Sequence, residues 1–360
     1  MKILVTGGCG FIGSAAVRIL VGTGHQVLNI DSLTYAGDLR AVAAVAGSPN
    51  YRFEKMDILD REGVGRCFRE FAPQAAFHLA AETHVDRSID GPAKFVETNV
   101  NGTFVMLQTA LAYWSHLEKE QRARFRFIHV STDEVYGSLG DHGFFTETTA
   151  YRPNSPYSAS KAAADHLARA WRVTYGLPTI ISNCSNNYGP FQNREKLIPT
   201  IIRKALSGQP IPIYGLGKNV RDWLFVDDHI AALLAICENG QAGDDYNIGG
   251  HNEISNIDLA RAICSIMDER RPRSDGRRHA EQIQFVTDRP GHDYRYAIDP
   301  AKATRELGWQ PRENLESGLS KTVDWYLHHP DWTMDAANSS DRLGLGSLSN
   351  STTSNPAARE

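Results

Sequence analysis

At 360 residues the chain is longer than most single hydrophobic cores, so two lobes facing a cleft are expected. With 41% hydrophobic and 22% charged residues it has an ordinary globular composition, and a net charge of −4 excludes the broad basic field of a nucleic-acid or membrane-surface binder. Five scattered cysteines (Cys9, Cys67, Cys184, Cys237, Cys264) without C-x-x-C spacing argue against a disulfide framework or zinc site, and point to reduced thiols in the cytoplasm. No apolar run is long enough for a bilayer, and Lys2–Thr6 already reads as a strand, so neither a membrane span nor a signal peptide is expected.

Short apolar runs at Ile3–Thr6, Val27–Ile30, Arg52–Lys55, Ala75–Leu79, Arg126–Val130 and Thr179–Ser182 alternate with helix-compatible stretches at Phe11–Val21, Arg61–Phe71, Lys94–Tyr113 and Ser158–Tyr175. That alternation predicts an α/β fold with a doubly wound parallel sheet of Rossmann type over residues 1–180. A smaller α/β lobe is expected over 181–330, with segments near 220–250 returning to the first, and a tail over 331–360 that loses its order towards the end.

Gly7-Gly8-Cys9-Gly10-Phe11-Ile12-Gly13 stands between the first strand and the first helical pattern. Glycines there allow a tight turn and a close approach to a pyrophosphate, and the helix N-terminus offers free amides. Asp31 ends the second strand, where a carboxylate would bind the ribose hydroxyls of NAD and repel the 2′-phosphate of NADP. Asp57-Ile58 suits the adenine edge, although Asp57 is equally a turn residue. His78-Leu79-Ala80-Ala81-Glu82-Thr83 ends another strand, its small residues letting backbone pass beside the cofactor, with His78 packed rather than liganding. Ser131-Thr132 follows the Phe127–Val130 strand, where a hydroxyl could hold a reacting oxygen. Tyr157 and Lys161 lie four apart on one helical face, so an ammonium and a positive nicotinamide ring would stabilise the phenolate of a base. No metal-ligand spacing is present.

The glycine turn, Ser131/Thr132 and Tyr157-x-x-x-Lys161 resemble the extended short-chain dehydrogenase/reductases. More narrowly, His84–Ser88, Ser131–Gly137, Pro156–Lys161, Asn183–Pro190, Arg221-Asp222-Trp223 and Asp288–His292 are similar to the dTDP-glucose 4,6-dehydratases, over roughly residues 1–330. The segment Ser138–Phe144 is shorter than in many members, and the chain beyond Trp332 matches nothing. The resemblance implies a hydro-lyase that oxidises C4 of the sugar, eliminates water across C5–C6 and returns hydride to C6. It makes Thr132 the partner of the C4 oxygen, Tyr157 its base, Asp133 the acid and Glu134 the base of elimination. Adjacent residues of a regular strand face opposite ways, so that carboxyl pair must sit where the strand turns.

By the same resemblance Ser32, Leu33, Thr34, Thr98 and Asn187 join the cofactor site. Thr83, Asn186, Lys196, Leu197, Pro212, Ile213, Tyr214, Arg221, Asn256, Asp288, Arg289, Pro290, Gly291 and His292 would hold the nucleotide diphosphate. Arg221, Lys196 and Arg289 are the available cations for two phosphates, and Pro212–Tyr214 is apolar surface for a base. The family also pairs through helices corresponding to Lys94–Tyr113 and Ser158–Tyr175, which implies a homodimer. Rival readings are a UDP-glucose 4,6-dehydratase, a sugar-nucleotide 4-epimerase, an ordinary dehydrogenase and a non-catalytic dinucleotide sensor. Asp133-Glu134 argues against the epimerase, and related decarboxylases and GDP-mannose dehydratases typically carry serine at position 133. Tyr157 with Lys161 argues against the sensor.

Overall fold

The computed structural model describes residues 1–334. Twelve strands occur among them: β1 Lys2–Thr6, β2 Gln26–Asp31, β3 Tyr51–Lys55, β4 Ala75–His78, β5 Arg126–Thr132, β6 Thr179–Cys184, β7 Asn186–Tyr188, β8 Ile211–Tyr214, β9 Val220–Phe225, β10 Asp245–Ile248, β11 Glu253–Ser255 and β12 Ile283–Val286. Seven of these form one parallel sheet in the order β10-β6-β5-β4-β1-β2-β3. The order reverses beside β1, and a doubly wound sheet binds ligands in the crevice at the carboxyl ends of the strands there.

Strand periodicity assigns the two faces. Ile3 and Val5 of β1 pack with helices Phe11–Gly22 and Val226–Asn239, whereas Leu4 packs on the opposite face with Phe68, Met106 and Trp171. All are buried, as expected of a parallel sheet covered on both sides. The chain therefore crosses back to the sheet after β9, adding helix Val226–Asn239 and the edge strand β10. A separate apolar cluster, including Ile198, Ile202, Ile213, Phe225, Leu259 and Val323, joins the small sheets β11-β9-β7 and β12-β8 to helices Leu197–Leu206, Asn256–Arg270 and Leu315–His328.

Two local departures from the sequence reading matter to the cleft. The expected helix over Lys94–Tyr113 is interrupted by a π-helical segment, Val96–Gly102. Inside it Asn99 turns inward, accepting from Glu82 N at 2.8 Å and donating to Glu82 O at 3.0 Å and Ser160 Oγ at 2.9 Å. Such widened turns cluster at functional sites. Pro212–Tyr214, read above only as apolar surface for a base, forms part of strand β8, whose register with β12 sets Tyr214 beside Val286. The tail expected over 331–360 lies outside the described residues, apart from its start in the short helix Pro330–Met334.

Candidate active site

A single cleft of about 430 Å³ runs across the carboxyl ends of the large sheet. At one end Gly7, at φ +71°, passes Ala80 so closely that a Cβ would stand 2.8 Å from its backbone. A Cβ on Gly13 would meet Gly7 O at 2.1 Å. The helix that follows starts after Gly10 with no side-chain cap, so the amides of its first turn are left for a ligand. Asp31 Oδ2 accepts from Cys9 N at 2.8 Å and Oδ1 from Leu33 N at 2.7 Å. These bonds fix the carboxylate on the cleft wall against burial, which raises its pKa. A pyrophosphate cradle with a fixed carboxylate beyond it fits a dinucleotide.

Ser32, Thr34, Asp57, Ile58, Leu79, Ala80, Ala81, Thr83, Thr98 and Asn187 also line the cleft. Leu33 does not. It takes the left-handed turn after β2, at φ +55°, and contributes its amide to Asp31 instead. His78 is buried in the sheet between Thr6 and Thr103 hydroxyls, at 2.8 and 3.0 Å.

The middle of the cleft is built from the end of β5 and the start of helix Pro156–Tyr175. That helix is fixed at its first turn by Pro156 and by a reciprocal cap in which Ser155 Oγ accepts from Ser158 N at 3.0 Å. Tyr157 and Lys161 line the cleft from this helix, with the Thr132 hydroxyl close enough to lower the phenol slightly. Lys161 Nζ donates to Val130 O at 2.8 Å. Burial, then the Glu134 carboxylate, holds the phenol well above the ordinary tyrosine range, while burial lowers the lysine. The expected relief of the phenolate therefore has to come from charge that a ligand brings, with Lys161 held in place by the strand.

β5 ends at Thr132, and a tight 3₁₀ turn, Asp133–Tyr136, takes both carboxyls off the strand alternation. They enter different surroundings. Asp133 is 1% exposed, and burial followed by repulsion from Glu134 and Asp222 raises it well above the usual carboxylate range. Its Oδ1 receives a long 3.4 Å bond from Thr132, its Oδ2 has no partner among the described residues, and it does not reach the cleft wall. Glu134 does line the cleft; burial raises it, and Arg289, Lys196 and Arg221 pull it back down. Asp133 is thus pushed further towards its neutral form than Glu134, whose rise three cations oppose.

Those cations form the far end, where Lys196, Arg221 and Arg289 all line the cleft. Arg221 lies 4.1 Å over the Tyr296 ring and donates to Asp293 O at 2.9 Å. Lys196 donates to Thr83 O at 3.0 Å and precedes the uncapped helix Leu197–Leu206. Asp86, given no role above, holds two walls together: it accepts from Tyr214 Oη at 3.0 Å and faces Arg289 at 3.5 Å. Asn186, Leu197, Pro212, Ile213, Asn256 and His292 line this end as well. Asp288, Pro290 and Gly291 do not; Asp288 instead steadies His292 Nδ1 at 2.7 Å from behind. The cleft is also lined by Glu82, Asp86, Ser185 and Trp223, which the sequence places within motifs without a site role, and by Tyr296, which the sequence reading does not name. The shortened Ser138–Phe144 segment is tied down by Arg295, which donates to Gly143 O at 3.0 Å.

Comparison with known proteins agrees over nearly the whole chain. The family described as GDP-mannose 4,6 dehydratase matches residues 4–322. A dTDP-glucose 4,6-dehydratase of Escherichia coli is 57% identical over 342 residues, covering 92% of this chain and 94% of its own. A probable dTDP-glucose 4,6-dehydratase of Sinorhizobium fredii is 56% identical over 348 residues, covering 96% and 99%. Among solved structures, the dTDP-glucose 4,6-dehydratase DesIV of Streptomyces venezuelae, with NAD bound, superposes with a TM-score of 0.84 at 43% identity, over 92% of this chain and 98% of its own. With the glycine cradle, the Tyr157–Lys161 helix and Glu134 in one cleft and Asp133 behind its wall, the chain belongs to the dTDP-glucose 4,6-dehydratases, within the wider family of GDP-mannose 4,6 dehydratases.

Proposed function

We propose that this chain is an NAD-dependent hydro-lyase that converts dTDP-glucose to dTDP-4-keto-6-deoxyglucose. The observation that carries the reading is the Asp133–Glu134 pair: burial raises both carboxyls, Asp133 well above its usual range, while three cations oppose the rise of Glu134, which lines the cleft with Tyr157. An epimerase has no use for such a pair. NAD, when bound, accepts the hydride from C4 and gives it back at C6. Gly7–Gly13 would hold its pyrophosphate, Asp31 its ribose, and Asp57-Ile58 its adenine.

Thr132 orients the C4 oxygen while Tyr157 takes its proton, leaving a ketone that acidifies the C5 hydrogen. Glu134 removes that hydrogen, and Asp133 gives its own proton to the C6 hydroxyl as it leaves as water. In this scheme Asp133, which stands behind Thr132 with a 3.4 Å bond from its hydroxyl, has to turn past it to reach the C6 hydroxyl. Glu134 then returns a proton to C5 as hydride reaches C6, and the proton on Tyr157 replaces the one lost from Asp133 through solvent. Arg221, Lys196 and Arg289 neutralise the diphosphate in this scheme, and Tyr214 and Pro212 flank the base.

Sugar deuterated at C4 tests the scheme as a whole. The label should appear in the C6 methyl group, and a run in heavy water should place deuterium at C5, with no free NADH accumulating. Label returned to C4 would indicate epimerisation, and label on released NADH an ordinary dehydrogenase; either refutes the dehydratase. Run separately with dTDP-glucose and UDP-glucose, the same assay decides the nucleotide. Asp31 should also make binding of NAD markedly tighter than that of NADP, which a titration of cofactor-stripped protein would measure, and equal affinities would remove it from the ribose.

Residues 1–180 with the returning segment near 220–250 serve in this reading as the cofactor domain, and 181–330 mainly as the sugar-nucleotide lobe. Val96, Phe104, Val173 and Tyr175 are exposed apolar residues on the two helical segments assigned to dimer contacts, which supports a homodimer. All five cysteines are free and buried, and no helix among the described residues is long and apolar enough to cross a membrane, which suits a cytoplasmic enzyme.

A further inference from the structure

Helix Pro156–Tyr175 carries a buried carboxyl that the scheme above leaves unused. Asp165 stands one turn beyond Lys161 and two beyond Tyr157, so all three share one face. It is 1% exposed and surrounded by donors. Ser131 Oγ lies 2.7 Å, Tyr151 Oη 3.0 Å and Asn183 Nδ2 3.5 Å from its Oδ2, while His129 Nε2 lies 3.0 Å from Oδ1. Oδ2 thus accepts from three groups at once, as a carboxylate oxygen can, while Oδ1 and His129 Nε2 face each other without a hydrogen bond.

The opposing strand matches this face residue by residue. His129 and Ser131 are alternate residues of β5 and reach Asp165 from the same side of the sheet. Val130 between them presents its carbonyl to Lys161 Nζ at 2.8 Å. The strand end that continues into Thr132 and the acid–base turn is thereby clamped to the catalytic helix at two levels.

The other titratable groups around this clamp are accounted for. Burial holds Tyr136, Tyr151 and Cys184 up and His129 and His78 down, so each stays neutral near pH 7. Asp133 is pushed the same way as the tyrosines, towards its neutral form. Asp245 has its own partner, Arg172, at 3.1 Å. Burial lowers Lys161, and the Asp165 carboxyl one turn away is the foremost group that opposes this and favours the ammonium. A buried ammonium without a counter-charge is costly, and the two need not touch to offset one another in a low-dielectric interior.

We propose that Asp165 is the buried counter-charge of Lys161, a positioning residue that keeps the ammonium charged and the end of β5 in register with Tyr157. It touches neither substrate nor cofactor. The inference rests on the dehydratase reading for its assay, because C4 oxidation is the step that needs a phenolate beside an ammonium.

The test is the pH profile of that step, followed as reduction of bound NAD in the holoenzyme. The wild-type rate falls on the alkaline side as Lys161 loses its proton. Asp165→Asn keeps the shape and removes the charge, so that limb should move to lower pH by about one unit, as expected for losing a nearby opposite charge. Ser131→Ala removes one donor, keeps the charge and should leave the limb in place. A uniform loss of rate in Asp165→Asn with an unmoved limb overturns the proposal. If Asp165→Asn does not fold, Lys161→Met is compared with the double variant Lys161→Met/Asp165→Asn. Removing the stranded charge should raise the melting temperature of the double variant above that of Lys161→Met. A double variant that melts lower, or does not fold, overturns the proposal. A wild type that forms no 6-deoxy product overturns the functional reading instead.

Discussion

Tyr157→Phe is expected to leave substrate bound but to reduce C4 oxidation by about 10²–10⁴-fold, the usual worth of a general base. The phenol lines the cleft beside Thr132, the residue assigned to the C4 oxygen. Its ring sits edge-on to Phe95, centroids 6.3 Å apart, and phenylalanine preserves that packing. The loss should therefore fall on kcat with little change in KM or in melting temperature. The same geometry gives a pH dependence. Burial and Glu134 raise the phenol, so the fraction of phenolate, and with it the rate of the first step, should climb as pH rises through the neutral range until Lys161 begins to lose its charge. Reduction of bound cofactor in a single turnover reads this step alone. Wild-type turnover in Tyr157→Phe would take the base elsewhere.

What the sequence shows of this site is what is local in it. The Gly7–Gly13 turn lies within one loop and Tyr157–Lys161 within one helical turn, so spacing alone carries their geometry. The placement of Asp133-Glu134 at a turn follows from strand alternation, and the structure has that turn. Its consequence was not legible. Nothing in two adjacent acidic residues tells which is pushed further towards its neutral form, because that depends on burial and on Asp222, Arg221, Lys196 and Arg289, all distant in sequence. Asp86 was hidden for the same reason, since its partners Tyr214 and Arg289 arrive from β8 and from the loop after β12. In the fold, the strands of the large sheet were readable as apolar runs, and β10 was reached only as a segment returning near 220–250. Asp245–Ile248 holds too few residues to announce itself. The π-helical segment had no signature either, since Val96–Gly102 adopts it to let Asn99 bond Glu82 and Ser160, and both partners come from other elements.

The carboxyl pair gives the second large effect and separates the steps that Tyr157 cannot. Asp133→Asn and Glu134→Gln should each still bind the sugar nucleotide and reduce bound NAD, and each should lose about 10²–10⁴ in the elimination of water. The two variants differ in a way the electrostatics dictate. Burial pushes Asp133 towards its neutral form, so an amide in its place removes a proton donor with little change of charge. Glu134 is the anion that Arg289, Lys196 and Arg221 favour, so Glu134→Gln removes a negative charge from among three cations. The diphosphate then faces a more positive cleft, and Glu134→Gln should bind substrate more tightly than wild type while Asp133→Asn leaves affinity nearly unchanged. Exchange of the C5 hydrogen with heavy water distinguishes the roles further. It should disappear in Glu134→Gln, which has no base at C5. It should persist in Asp133→Asn, where the 4-keto intermediate can lose and regain that proton but cannot expel the hydroxyl. The opposite pattern, exchange lost with Asp133 and kept without Glu134, would exchange the two roles.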